Sequence, residues 1–233
     1  FQGIMTTISA NLQAVRARIA AAAELAGRAV GEVLLLAASK TFPAERIREA
    51  VAAGQRAFGE NYVQEGLAKI GALDDLALEW HFIGPLQSNK TRPVAEHFDW
   101  VHGIERLKIA ERLSAARGAG RPPLQVCIQV NVSGEASKSG VSPADTATLA
   151  HAVAGLPNLR LRGLMAIPEP TDDLALARRR FAMLRELRDG LNRDGLSLDT
   201  LSMGMSDDLE AAILEGATIV RIGTAIFGER HYA

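Results

Sequence analysis

Val33-Leu34-Leu35-Leu36-Ala37-Ala38-Ser39-Lys40-Thr41 decides the fold. This apolar run, bounded by Gly31 and Pro43, is too short to span a membrane and reads as a strand buried on both faces, the pattern of a parallel sheet covered by helices. Lys40 then stands at the strand's carboxyl end, where α/β barrels and open α/β sheets place their chemistry because the loops there vary without disturbing the core. The plain alternative is a lysine that marks the strand's exit into solvent, and the rest of the chain decides between the two.

Outward from that strand, apolar runs recur between helical stretches. Upstream, residues 4–28 are rich in alanine, with Ile8, Leu12, Val15, Ile19, Ala22 and Ala26 at helical spacing, so a long amphipathic helix precedes the strand and caps the floor or flank of the fold. Downstream, strands are expected at residues 57–59, 80–84, 100–102, 124–131, 159–167, 198–203 and 218–222. Helices are expected from Pro43 to Gly54, from Glu60-Asn61-Tyr62-Val63 to about Ile70, behind Leu86-Gln87-Ser88-Asn89-Lys90, from Glu105 to Arg117, and from Asp172 and Asp173 onward with Leu176, Arg180, Phe181, Leu184, Leu187 and Leu191 near one face. Eight strands in this alternation are what a single (β/α)8 TIM barrel demands; a doubly wound sheet would show fewer strands and a G-x-G-x-x-G turn, which is absent.

Composition narrows the function. With 233 residues, 48% hydrophobic and 23% charged, the chain suits one large core, read as one domain over residues 5–233. Residues 1–4, beginning Phe1-Gln2-Gly3, read as the remnant of a cleavable tag, with Met5 as the natural start. A net charge of −1 gives no electrostatic case for nucleic acid or an anionic membrane as partner. Cys127, the single cysteine, excludes an internal disulfide and a multi-cysteine metal site, and reads as a small core residue. With neither a signal peptide nor a run near 20 apolar residues, the expected location is the cytoplasm.

In barrels the loops after strands seven and eight frequently hold a phosphate. Here strand seven leaves through Ser202-Met203-Gly204-Met205-Ser206-Asp207-Asp208 and strand eight through Arg221-Ile222-Gly223-Thr224-Ala225-Ile226-Phe227-Gly228. Gly223 lets backbone amides approach a ligand, and Ser206 and Thr224 offer hydroxyls. Singly, Ser206 reads as a helix cap and Gly223-Thr224 as an ordinary turn; both loops built this way on these strands point to a phosphate cradle. Asp207 and Asp208 would repel a phosphate and are expected to face outward, where a helix dipole still favours them. A lysine at strand one, a phosphate cradle across the barrel from it, and Arg221 suggest a cofactor with both an aldehyde and a phosphate, which pyridoxal 5'-phosphate (PLP) is. Lys40 would hold it as a Schiff base through its neutral amine. Arg221 would face the pyridine nitrogen and, unable to accept a proton from it, leave the ring a weak electron sink.

Together Ala38-Ser39-Lys40-Thr41, Phe58-Gly59-Glu60-Asn61-Tyr62-Val63-Gln64-Glu65, His81-Phe82-Ile83-Gly84-Pro85-Leu86-Gln87-Ser88-Asn89-Lys90 and the two loops above resemble the YggS/PROSC family of PLP homeostasis proteins. The resemblance implies a fold-type III PLP-binding barrel similar to the alanine racemase N-terminal domain, with PLP on Lys40. It also implies phosphate contacts at Ser206, Gly223 and Thr224, Arg221 at the pyridine nitrogen, and Asn61 and Met203 nearby. The family usually has leucine or a related residue between the positions of Gly84 and Gln87, so Pro85 is a minor departure, expected to stiffen the loop without removing a ligand. His81 can reach the cofactor region, with a satisfied core histidine as the plain alternative.

Racemisation on PLP needs acid and base groups on both faces of the substrate carbon. In alanine racemase a tyrosine from an additional C-terminal β domain serves one face; this chain ends at Ala233, where the barrel closes, and neither Tyr62 nor Tyr232 makes a case as that base. The resemblance therefore implies a PLP carrier or regulator, exchanging PLP with PLP-dependent apoenzymes and affecting amino acid metabolism, without strong turnover. A monomer is expected. A weak amino acid racemase and a phosphosugar-binding barrel enzyme are the alternatives. Lys138, in the loop Ser133-Gly134-Glu135-Ala136-Ser137-Lys138-Ser139-Gly140, is a candidate to receive or pass PLP; its order of residues does not match a P-loop. No metal site is expected.

Overall fold

A computed structural model describes residues 7–136 and 139–230. Eight parallel strands close into one barrel in chain order, β1 (Leu34–Ala38), β2 (Ala57–Glu60), β3 (Glu79–Phe82), β4 (Trp100–Ile104), β5 (Leu124–Gln129), β6 (Leu159–Met165), β7 (Thr200–Ser202) and β8 (Ile219–Ile222). The barrel closes because β8 pairs with β1, with Leu36 opposite Arg221 and Ala37 opposite Ile222. This is the (β/α)8 architecture the strand count demands.

The alternation along each strand explains the unbroken apolar run that announced the fold. Leu35 and Ala37 face the helices, within one large outer core, whereas Leu36 and Ala38 face the barrel interior with Ala57, Ile83, Trp100, Cys127, Met165 and Ile219. Both sides of β1 are dry, so both parities must be apolar. Cys127 is fully buried among these interior residues, and burial pushes its thiol up to about 12, so it is a packing residue.

The helices are α1 (Ile8–Leu25), α2 (Ala44–Ala52), α3 (Val63–Ala72), α4 (Thr91–His97), α5 (Leu107–Arg117), α6 (Thr146–Ala154), α7 (Leu174–Arg193), α8 (Leu209–Leu214) and α9 (Thr224–Phe227). Thr7 caps α1 by accepting from the Ala10 amide, and α1 buries Ile8, Leu12, Val15 and Ile19 against the flank formed by α2, α8 and α9. It lies on the flank; Asn11 donates to the Ile226 carbonyl, and Arg18 donates to the Ser206 carbonyl, tying the helix to the loops after β7 and β8. Helix α6 has no counterpart in the sequence pattern, because its buried face is short and mixes Thr146, Leu149, Ala150 and Val153. Pro43 stands at the N-cap of α2, one residue before the helical turn it was expected to open. No helix among the described residues is long and apolar enough to cross a membrane.

Candidate functional site

Lys40 follows β1 by two residues, and the backbone on either side of it is held from α3. On one side Lys69 Nζ donates to the Ser39 carbonyl at 2.7 Å; on the other the Thr41 amide donates to Glu65 Oε1 at 2.5 Å. Glu65 and Lys69, one turn apart on α3, are themselves ion-paired at 2.8 Å. Thr41 has φ of 70°, a left-handed conformation a β-branched residue adopts only under such constraint. Beneath this clamp the fully buried Glu60 carboxylate pairs with Lys69 at 2.6 Å, and its other oxygen accepts from the Ser39 hydroxyl at 3.3 Å. Burial raises the Glu60 carboxyl to about 7, against the opposing pull of Lys69.

Closure of the barrel puts the loop after β8 beside Lys40's strand, where a position across the barrel was expected: a Cβ at Gly223 would lie 3.1 Å from the Ala38 carbonyl oxygen. The loop after β7 reaches the same place. Ser206 Oγ accepts from the Ala225 amide at 3.4 Å, so Ser206, Gly223 and Thr224 do converge. Ser206 is not the cap of α8, a position taken by Asp208. Asp207 is exposed as expected, but Asp208 turns inward to accept from the Met205 amide at 2.7 Å, and its charge acts on Arg221. Gly204, at φ 102°, makes the turn between Ser202 and this loop, and a Cβ there would meet Ala212 at 2.7 Å.

Arg221 is buried to 4% exposure inside β8. Its Nη1 donates to Ser202 Oγ at 2.7 Å and its Nη2 to the Ala166 carbonyl at 2.9 Å, and burial lowers it to about 10, still charged at neutral pH.

These placements can be set beside known proteins. The family profile "Alanine racemase, N-terminal domain" matches residues 10–231. The "Pyridoxal phosphate homeostasis protein" of Pseudomonas aeruginosa is 67% identical over 228 residues, 98% of each chain. The chain belongs to the alanine racemase N-terminal domain family, on the branch of the pyridoxal phosphate homeostasis proteins. Among solved structures, PipY from Synechococcus elongatus with PLP bound is 41% identical with a TM-score of 0.80, over 90% of this chain and 100% of that one. Alanine racemase from Corynebacterium glutamicum shares the fold at 18% identity and a TM-score of 0.69, over 94% of this chain and 62% of the longer enzyme.

Family membership gives the remaining positions their setting. Asn61 follows β2, and its side-chain oxygen is buried with no hydrogen-bond partner, an acceptor waiting for a donor. Gly84 permits this arrangement, since a Cβ there would lie 2.2 Å from the Asn61 carbonyl oxygen. The Met203 side chain is fully buried in the outer core, on the opposite side of β7 from the barrel interior. His81 is fully buried in the barrel, bonded to Glu79 on one nitrogen and His102 on the other, and reaches the mouth only through other side chains. Tyr62 is half exposed at the N-cap of α3, whereas Tyr232 and Lys138 lie outside the described residues.

Several residues of this site carry no sequence signal. Glu65 and Lys69 stand at i,i+4 spacing and look like surface charges, and Glu60 ends strand β2; only the packing of α3 over β1 and β2 brings the three together. Arg230 comes close to Gly223, with its Nη2 at 3.5 Å from a Cβ placed there and its Nε buried without a partner, and nothing in its neighbouring sequence singles it out.

Proposed function

We propose that this protein binds PLP at the mouth of the barrel and acts in PLP homeostasis as a carrier or regulator, as the names of its relatives suggest. The observation that carries the reading is the convergence on one rim of Lys40, Arg221 and the Ser206, Gly223 and Thr224 loops, brought side by side because β8 pairs with β1. PLP, when bound, supplies an aldehyde able to condense with a lysine amine, together with a phosphate and a pyridine ring.

The residues fit that group. Lys40 offers the amine, its backbone held on both sides by Glu65 and Lys69. Ser206, Gly223 and Thr224 offer a hydroxyl, close backbone approach and a second hydroxyl for the phosphate. Asn61 keeps an unpartnered oxygen for a ligand donor. Arg221 presents a permanent cation to the ring nitrogen and donates without ever accepting, so it does not hold a proton on the ring. That favours holding PLP over turning substrate over. In the same proposal the protein is a cytoplasmic monomer and exchanges PLP with apoenzymes that need it.

The deciding experiment is the absorption spectrum of the purified protein and of Lys40→Ala after incubation with PLP. A shifted visible band in the first and only free-aldehyde absorbance in the second support the reading. No band in either rejects it and favours a phosphosugar ligand.

A further inference from the structure

Four hydrogen bonds run unbroken through the inside of the barrel, from the guanidinium beneath the mouth to a carboxylate at the floor. Arg221 Nη1 meets Ser202 Oγ at 2.7 Å, Ser202 Oγ meets His102 Nδ1 at 2.8 Å, His102 Nε2 meets His81 Nδ1 at 2.8 Å, and His81 Nε2 meets Glu79 Oε1 at 2.6 Å. The four strands involved, β8, β7, β4 and β3, supply these side chains at interior positions, and Ser202, His102 and His81 are fully buried.

The two ends fix the direction of the whole chain. A guanidinium only donates and a carboxylate only accepts. Burial holds both imidazoles below their ordinary value, so each carries one N–H and one lone pair. His81 must keep its proton on Nε2 to donate to Glu79. Its Nδ1 then accepts from His102 Nε2, and His102 Nδ1 accepts from the Ser202 hydroxyl. The Ser202 oxygen is thereby left to accept from Arg221, and every link has one solution.

We propose that Glu79, His81, His102 and Ser202 are positioning residues whose single direction of donation presents the Ser202 oxygen as a fixed acceptor and so sets the Arg221 guanidinium for the cofactor ring. The functional consequence rests on the PLP reading; the direction of the chain does not. Glu79 gives the chain its sense, because its carboxylate can only accept and so holds the His81 proton on Nε2; in the reversed order His102 Nδ1–H and Arg221 both donate to one hydroxyl oxygen and the buried Ser202 proton loses its acceptor. Other groups around the chain are fixed in place. Trp100 stacks on the His81 ring at 5.2 Å, and Arg162 lies over the Trp100 ring at 4.9 Å. Asp99 acts on His81, Arg162 on Glu79, and Asp208 on Arg221.

Nitrogen NMR of histidine-labelled protein without PLP reads the direction, and absorbance titration with PLP reads its consequence. Both buried rings are expected as neutral Nε2–H tautomers. Glu79 is half exposed at the floor, so Glu79→Ala leaves the core packed; it is expected to populate Nδ1–H forms at both rings and to weaken PLP binding about tenfold, as for one net hydrogen bond lost. Glu79→Gln, whose amide oxygen still accepts, is expected to return the Nε2–H tautomers and most of the affinity. In a Ser202→Ala background, Glu79→Ala should weaken PLP binding no further. Nδ1–H or charged rings in the wild type, or tautomers indifferent to Glu79→Ala, overturn the proposal. Additive effects of Glu79→Ala and Ser202→Ala on affinity do so as well. A protein that shows the expected tautomers but never binds PLP would instead reject the cofactor reading and leave the chain's direction standing.

Discussion

Lys69 Nζ donates to the carbonyl of Ser39 at 2.7 Å, gripping the peptide unit just before the lysine at the mouth of the barrel. The same ammonium is the cation nearest the buried Glu60 carboxylate. Lys69→Met therefore strips a fully buried acid of its partner and should lower the unfolding free energy by about 3–5 kcal/mol, with Glu60→Gln added on top recovering much of the loss. Urea unfolding of the two variants tests this; a double variant no more stable than Lys69→Met would show that the pair is not the source.

On the other side of Lys40, Glu65 holds the left-handed Thr41 by its amide. Glu65→Ala should leave the fold intact, because Glu65 is partly exposed, and still weaken PLP binding by releasing Thr41 to an ordinary backbone conformation. Absorbance titration measures it, and unchanged affinity would mean that Lys40 needs no such clamp.

Glu60 also gives stability a pH dependence. Its folded-state value of about 7 lies above the ordinary 4.5, so the folded protein binds this proton more tightly than the unfolded chain. The contribution of Glu60 is thus fully present below about pH 4.5, falls as pH rises, and is lost above about 7. Glu60→Gln does not titrate, and its stability relative to wild type should improve across that window by up to roughly 3 kcal/mol. A difference independent of pH would contradict the burial argument.

The two interior histidines act in the opposite sense. Burial lowers both, so below the ordinary value of 6.5 the unfolded chain takes up protons that the folded barrel refuses, and stability falls with acid. His102→Gln should flatten this acid limb below pH 6.5. Urea midpoints measured in parallel would show the same slope in both proteins if the rings were not held neutral.

Gly84 separates a structural need from mere proximity. Gly84→Ala drives a methyl group to 2.2 Å from the Asn61 carbonyl oxygen, so the loops after β2 and β3 must part, at about 2 kcal/mol or more, and PLP binding should weaken. Gly71→Ala, in α3 with nothing within 4 Å, is the control and should be neutral or slightly stabilising in thermal unfolding. Equal effects of the two would remove the steric argument.

The barrel was legible because a strand buried on both faces cannot alternate. Leu35 and Ala37 serve the outer core and Leu36 and Ala38 the interior, so β1 is written as one apolar run, and the same constraint marks the other strands. Lys40, Arg221 and the Ser206, Gly223 and Thr224 loops stood out because each interrupts such a pattern at a strand's end. Helix α6 escaped because small residues give it little contrast between faces.

Sequence alone thus determined the class of fold and singled out Lys40 and the loops after β7 and β8 as candidates, all of which are local patterns. The tertiary structure decided which of them are neighbours. Closure of β8 on β1 set the loop after β8 beside Lys40, the register of α3 turned Glu65 and Lys69 into a clamp, and the inward parities of β3, β4, β7 and β8 joined Glu79 to Arg221. His81 and Ser202 are 121 residues apart, and His102 bonds to both in the barrel's dry interior. No spacing rule along a chain encodes such a meeting, because it depends on barrel closure and strand stagger, which only the whole sheet fixes.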